Sequence, residues 1–454
     1  MVEVRRSGVL AVRCGLRSSR LLALALAACS VPAIDRGSIS KALQERTGHT
    51  LAAPQAVDAS TARTSPDGPA GELSAHDAVA HALHHNPLFA ALLEDVDIAR
   101  AMVRQASRPP NPLFFLYVEL ASNVVKPFFN FGLPIETGGA FMKRRKVAIA
   151  QLEQVAARLL DDALRLVADV HTAHARLRLL RSRERLTRET VTLLERAAKL
   201  TAERLRAGDI EGRALRIAEA EVAQAKIDLL RIDQETALAR IDLDRLLGTN
   251  PASSAWQVTK ELGGRPALPP DWSKLVADAL QLRADVRAAE LDAKTAAARE
   301  GLQWALVAPT VSLSAVGEHT SGGPFLAGPG ISVPIPIFDQ NLGNVERAES
   351  ETRKALRLYR AAQHEAVIQL RRAFVTFERA TAILKALEDE LCPRLEKALA
   401  AAEAAAAIGQ DSWLPALLAR RDLIRARTAQ ADARFALHAA WLDLERAAGG
   451  RVSP

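Results

Sequence analysis

The chain has 454 residues, of which 49% are hydrophobic, 4% aromatic and 25% charged, with a formal net charge of +7. That length exceeds one ordinary core. The charge is no nucleic-acid signal, because five positive residues (Arg5, Arg6, Arg13, Arg17, Arg20) and one negative residue (Glu3) precede residue 29, which leaves +3 for the remainder. Elsewhere both signs are mixed along helical stretches, the pattern of solvated faces, so nucleic acid is excluded as a partner.

Residues 1–28 read as a lipoprotein signal peptide. An Arg-rich start gives way to eight apolar residues, too few to span a bilayer, and the stretch ends in Leu26-Ala27-Ala28-Cys29. That ending resembles a bacterial lipobox, so Cys29 is the expected lipidation site and outer-membrane lipid its expected partner. An ordinary signal peptide containing a cysteine is the alternative. Cys14 leaves with the signal, and lipid on Cys29 leaves Cys392 without an intrachain partner, which argues against a disulfide scaffold. Residues 29–72, rich in Ser, Thr, Ala, Pro and Gly, have no sustained periodicity and are expected to form a lipid-anchored flexible linker.

Folding is expected to begin near Leu73. Ser74 followed by Asp77 suits a helix start, and the helix is expected to run to about Ser107 before Pro109-Pro110 stops it. Phe131, Leu133 and Ile135 then alternate with Asn130, Gly132 and Pro134, the period of a strand with one apolar face. Seven of the fourteen Phe and Tyr residues fall between Phe114 and Phe141. Such clustering suits an interfacial girdle around a membrane barrel; the competing reading is a small soluble hairpin with an aromatic core.

From 140 to 207 there is neither Gly nor Pro. Leu152, Leu159, Leu166, Ala173 and Leu180 recur every seven residues, with Ala156, Ala163, Val170 and Leu177 as the second seam position, so helices are expected to pack along their length.

The whole plan then recurs. Ala82-Leu83 and Asn86-Pro87 align with Ala279-Leu280 and Arg283-Ala284, Pro112 with Pro309, Leu133-Pro134-Ile135 with Val333-Pro334-Ile335, and Gly208 with Gly409. In the second copy Val311, Leu313 and Ala315 alternate with Thr310, Ser312 and Ser314, and Ile331, Val333, Ile335 and Ile337 with Gly330, Ser332, Pro334 and Pro336. A long helix follows over 345–408, interrupted only by Pro393. Helical hairpins of this length lack a globular core, and four strands cannot close a barrel that needs about eight. Several chains sharing one barrel remove both defects.

Together these residues resemble the TolC-like outer-membrane factor family. The resemblance rests on Asp77-Ala78-Val79 with Asn86-Pro87, Asn111-Pro112, Leu133-Pro134-Ile135-Glu136 with Gly138-Gly139, and the run from Arg204 through Gly208-Asp209. In the second copy it rests on Arg283-Ala284-Asp285, Val333-Pro334-Ile335-Pro336-Ile337-Phe338-Asp339 with Gly343, and Gly409. Ala284 departs from it, since proline is usual there, and Arg144-Arg145-Lys146 leaves the strand more basic than expected.

The resemblance implies a mainly α fold with a small β part. Long helical hairpins form a periplasmic α-barrel, and four strands per chain enter a trimeric outer-membrane β-barrel. The expected domains are 73–248 for the first repeat, 249–271 for an equatorial connector, 272–448 for the second repeat and 449–454 for a C-terminal tail. The implied partners are two further copies in a homotrimer, a periplasmic adaptor (membrane fusion protein) and an inner-membrane RND-type pump. The chain would be a passive conduit that uses no cofactor. Adaptor hairpins would dock at the two turns, Gly208 and Asp209 in the first repeat and Gly409, Gln410 and Asp411 in the second, where the aperture also lies. Asp209 and Asp411 act there either as acidic rings or only as helix caps.

Compact strands, Pro-Ile-Glu before Gly-Gly and Asn-Pro resemble the CzcC-like heavy-metal branch. Drug efflux and type I secretion are the alternatives within the class, and a non-pore periplasmic coiled-coil scaffold the alternative outside it. His81, His84 and His85 share a helix face at spacings that suit a divalent metal, but an exposed helix face is the simpler reading and no metal site is assigned. Walker, dinucleotide, His-Glu-x-x-His and nucleophile-elbow motifs are all missing from the sequence, which opposes an enzyme.

Overall fold

The computed structural model describes residues 34–51, 69, 71–121, 124–252, 255–259, 272–319, 323–407 and 413–450. Cys29 and the turn at Gly409, Gln410 and Asp411 lie outside them. The described chain forms two compact units: one holds residues 98–152 and 298–348, the other the remainder.

The elements in order are α1 (Arg36–Thr47), β1 (Gly71–Leu73), α2 (Ala75–His85), α3 (Pro87–Ala106), β2 (Leu113–Ala121), β3 (Val124–Glu136), α4 (Ala140–Arg206), α5 (Gly212–Leu247) and β4 (Trp256–Val258). They continue with α6 (Trp272–Leu282), α7 (Ala284–Ala305), β5 (Thr310–His319), β6 (Phe325–Ser332), α8 (Leu342–Ala386), a π-helical turn (Leu387–Leu391), α9 (Cys392–Ala407) and α10 (Trp413–Ala448).

In the first unit β2, β3, β5 and β6 form one antiparallel sheet in that order. Each repeat therefore supplies one hairpin, and the repeats meet at β3 and β5. Leu133 lies opposite Leu313 and Leu313 opposite Ile331; Phe131 lies between Phe114 and Ala315. Where β3 leaves the sheet, a Cβ on Gly138 would strike the Ala305 carbonyl, and Thr137 Oγ1 donates to the Pro309 carbonyl at 2.5 Å. A glycine is required for that approach. The unexpected basic run after β3 is in part accounted for: Arg144 makes a fork to Glu136 at 2.6 and 3.1 Å.

β6 ends earlier than the alternation suggested. Pro334 and Pro336 have no N–H to give to a ladder, and the Ile337 N–H turns back to the Ile335 carbonyl at 2.9 Å. Val333, Ile335 and Ile337 therefore lie beyond the strand.

In the second unit most of the heptad positions are buried, with Ala156 and Ala173 partly exposed. Along α4, Leu159, Ala163, Val170, Leu177 and Leu180 are all at most 3% exposed. Further along, Leu179, Leu186 and Leu193 are the buried residues at seven-residue spacing, on another side of the helix. Leu186 and Leu193 pack against Ile424 and Leu417 of α10. A larger cluster joins α6, α8 and α10 through Leu275, Leu370, Phe377, Leu437 and Leu444, each such side chain contributing about 1.5–3 kcal/mol.

Two expectations are corrected. Within the supposed flexible linker, residues 36–47 form a packed helix. Asp35 and Ser38 close a capping box at its start, left-handed Gly48 ends it, Ile39 and Leu43 are buried, and Arg36 reaches Glu94 and Asp97 at 2.8 and 2.6 Å. Residues 71–73 are also ordered, as a parallel strand against 256–258. The single helix expected to Ser107 is two helices, because Asn86 leaves the helical conformation (ψ 118°), takes the Phe89 N–H on its side chain at 2.9 Å and is followed by proline at the first position of α3.

Candidate functional site

The sheet has one face that no soluble protein would leave open. Alternation and register place Phe114, Leu116, Val118 and Leu120 of β2 on the same side as Phe129, Phe131, Leu133 and Ile135 of β3. Val311, Leu313 and Ala315 of β5 and Phe325 and Ile331 of β6 continue that side. These are surface residues: Leu120 is 76% exposed, Ile331 69% and Phe114 66%. The opposite side is mixed: Glu119, Lys126, Asn130, Ser312, Ser314, Glu318 and Ser332 share it with Leu113, Phe115, Tyr117, Phe128, Val316 and Leu326. Exposed Phe114, Phe115, Phe129 and Phe131 rule out an aromatic hairpin core. One continuous apolar face, a second face that gathers the sheet's polar residues, and unpaired edges at β2 and β6 among the described residues are what a segment of a membrane barrel needs. Among the described residues, no helix is long and apolar enough to cross a membrane.

The second feature is the turn between α4 and α5. The Gly208 N–H reaches the Leu205 carbonyl at 3.1 Å and the Asp209 N–H the Arg204 carbonyl at 3.0 Å, with Gly208 at φ +83°. This is the paired closure that a left-handed residue permits at a helix end. Arg206, Gly208 and Asp209 are exposed. Asp209 is not the cap of the next helix, for the residue before α5 is Glu211, whose side chain makes no capping bond. The reading of Asp209 as a helix cap is thereby corrected: its backbone closes α4, and its carboxylate is left at the surface.

Two matching joints lie where each return helix ends. Asn86 Nδ2 donates to the Leu246 carbonyl at 2.9 Å, and a Cβ on Gly248 would collide with the His85 carbonyl. In the second repeat Arg283 Nη1 donates to the Ala447 carbonyl at 3.2 Å, and a Cβ on Gly449 would come within 2.8 Å of the Arg283 nitrogen. Arg283 also holds Asp285 at 2.6 Å and Gln369 at 2.7 Å. Burial raises the Asp285 pKa, but the Arg283 bonds and the Val286 N–H outweigh it and leave the carboxyl below its ordinary value.

A third group follows no sequence pattern named above. Asp244, 1% exposed, accepts from Trp256 Nε1 at 2.8 Å and Thr249 Oγ1 at 2.9 Å, and Arg240 lies 4.7 Å over the Trp256 ring. The available signal was a tryptophan in an aromatic-poor chain, just past a helix ending in Gly248. His81 and His85 pack ring to ring at 4.4 Å and His84 meets His85 edge-on at 6.4 Å. Among the described residues, no three His, Cys, Asp or Glu side chains are placed to hold a metal ion.

A duplicated helical-hairpin chain that contributes four strands with a lipid-compatible face defines a class, the subunits of outer-membrane channels built jointly by β-strands and long helices. The family model of outer membrane efflux proteins matches residues 78–249 and 275–450, and the chain belongs to that family. It is 27% identical over 367 residues to the cobalt-zinc-cadmium resistance protein CzcC of Cupriavidus metallidurans, covering 79% of this chain and 85% of that one. A membrane protein from Pseudomonas aeruginosa is similar in structure at TM-score 0.70 and 24% identity, over 83% of this chain and 90% of that one. The outer membrane protein VceC from Vibrio cholerae is similar at TM-score 0.67 and 20% identity, over 84% and 97%. The protein is thus an outer-membrane efflux channel component. Its family is one of channels and not of enzymes, whose members are trimeric and work with adaptors and pumps.

Proposed function

We propose that three copies of this chain form the outer-membrane conduit of a tripartite RND-type system that expels heavy-metal cations. The observation that carries the channel reading is the four-stranded sheet with its apolar face and two free edges, which three copies close into twelve strands. β6 of one copy then pairs with β2 of the next, which removes every edge. The metal cargo is supported by the likeness to the cobalt-zinc-cadmium resistance protein.

In this reading the helices form the periplasmic part, and the exposed turn at Gly208 and Asp209, with its counterpart at Gly409, Gln410 and Asp411, receives the adaptor. Lipid on Cys29 adds an anchor beside the barrel. Purified protein in a planar bilayer should give conductances and run as a heat-resistant trimer; a protein that does neither is a scaffold. Deleting the gene should sensitise its host to zinc, cobalt or cadmium. Sensitivity to dyes or loss of a secreted polypeptide instead, with metal tolerance intact, would move the cargo to the drug-efflux or type I secretion class. Cys29→Ala should weaken anchoring and leave the trimer assembled.

A further inference from the structure

Five of the chain's ten histidines come from distant parts of the sequence to one place in the helical unit. A cavity of about 430 Å³ is lined by His49, His76, His171 and His438. His49 follows α1, is 5% exposed and stacks on His76 with ring centroids 4.3 Å apart. His174, one turn beyond His171 on α4, places Nε2 2.9 Å from the Leu73 carbonyl.

Charged groups of both signs stand around these rings, six arginines and four acids. From α1, Arg46 gives Nη1 to the carbonyls of Leu282 and Gly449 at 2.7 and 3.5 Å, with Glu45 as its acidic neighbour. From α4, Arg165 is paired with Asp161, while Arg178 and Arg181 stand near His174. Arg283, between α6 and α7, is paired with Asp285. From α10 come Glu445 and Arg446, with Arg178 also near His438.

We propose that this cluster is a proton-operated latch on the N-terminal helix: neutral rings let α1 and His49 dock against the helical unit, and protonated rings drive them off. Charging several half-buried rings that face one another, with arginines beside His174 and His438, builds repulsion where solvent cannot screen it well. Burial, and then the neighbouring rings, hold His171 down to about 4. Burial likewise lowers His174 and His438, with nearby arginines adding to it. Asp161 shifts upward, chiefly through burial, so acid removes a counter-charge while the rings gain charge. Groups whose docked pKa is depressed favour docking above their free value near 6.5 and lose that contribution as pH falls toward about 4. No three ligating side chains among the described residues are arranged for a metal, so the proton is the ligand this geometry takes.

The test is hydrogen exchange of amides 36–47 in the full-length assembled protein at pH 7.5 and pH 5, corrected for intrinsic rates. The expected result is protection lower by about tenfold at pH 5, while 212–247 is unchanged. His171→Gln with His438→Gln, and separately His49→Asn, should keep α1 protected at pH 5. Equal protection at both pH values in the unaltered protein overturns the latch. So do variants that loosen as much as the unaltered protein at pH 5, and so does α1 already unprotected at pH 7.5 in both variants, which would show packing and not charge to be what holds it. The readout does not involve cargo, so failure here leaves the channel reading standing and failure of that reading leaves the latch testable.

Discussion

The two repeats reach the same architecture through different chemistry at equivalent points. Where each strand hairpin hands over to its long helix, the first repeat has Gly139 at φ +70° and the second Asn341 at φ +59°. Asn341 tolerates the left-handed conformation, and its Nδ2 lies 2.9 Å from the Gln303 carbonyl. At the joints where the return helices end, a neutral Asn86 in one repeat stands for a charged Arg283 in the other. Along the hairpins, α4 runs unbroken for 67 residues, whereas α8 passes through a π-helical turn before α9. There Pro393 has no N–H, and the Cys392 N–H bonds back to the Leu387 carbonyl. What duplication has kept is the geometry of each joint, and the residues that satisfy it have drifted.

The glycines of the two joints, Gly248 and Gly449, have not drifted, and they differ only in how closely the chain approaches them. Gly248→Ala should be the most damaging single change, costing more than about 3 kcal/mol, because a Cβ overlaps the His85 carbonyl and φ is +74°. Gly449→Ala meets the looser second joint and should cost about 2 kcal/mol. The heating midpoint of the assembled protein in detergent ranks the two; a larger loss at Gly449 would break the parallel. Next comes the pair Arg283→Ala and Asn86→Ala. Removing Arg283 leaves Asp285 and the Ala447 carbonyl short of partners and should cost about 2–3 kcal/mol, tempered because Asp285 is a third exposed. Asn86→Ala loses a helix cap and one carbonyl bond, at about 1–2 kcal/mol. Denaturant midpoints should show Arg283→Ala as the worse, and the gap should close as pH falls below the ordinary carboxyl value of 3.8, because the lowered pKa of Asp285 contributes stability above that value and loses it on protonation. The smallest effects belong to the handover. Asn341→Gly relieves the left-handed strain while losing the Gln303 bond and should stay within about 0.5 kcal/mol. Gly139→Asn, with open space around its Cβ position, should cost less than about 1 kcal/mol. A large loss in either would show the two handovers not to be equivalent.

Much of this is legible in the sequence, because it depends on periodicity. The seven-residue spacing of Leu152, Leu159 and Leu166 marks residues that are buried, and the alternation from Phe131 to Ile135 and from Val311 to Ala315 marks the sheet face. Features that depend on one or two polar atoms were not legible. α1 has only Ile39 and Leu43 to bury and a capping box closed by serine, so no amphipathic run announces it. β1 and β4 are three residues each and exist only because they meet. β6 stops where prolines intervene in a run whose apolar alternation continues to Ile337. Of the turn residues singled out, Gly208 closes its helix in left-handed geometry, and the carboxylate of Asp209 has no capping role. The histidine cluster joins positions 49, 76, 171, 174 and 438, and no local spacing rule connects those.

The free edges of β2 and β6 have a genetic consequence. In the proposed trimer no chain owns a pore, so a subunit with a spoiled edge strand disables its two partners as well. A cell making intact and edge-damaged chains in equal amounts would assemble fully intact channels only about one time in eight if the chains mix at random. Such alleles should therefore be dominant, whereas alleles that stop the chain from being made should be recessive.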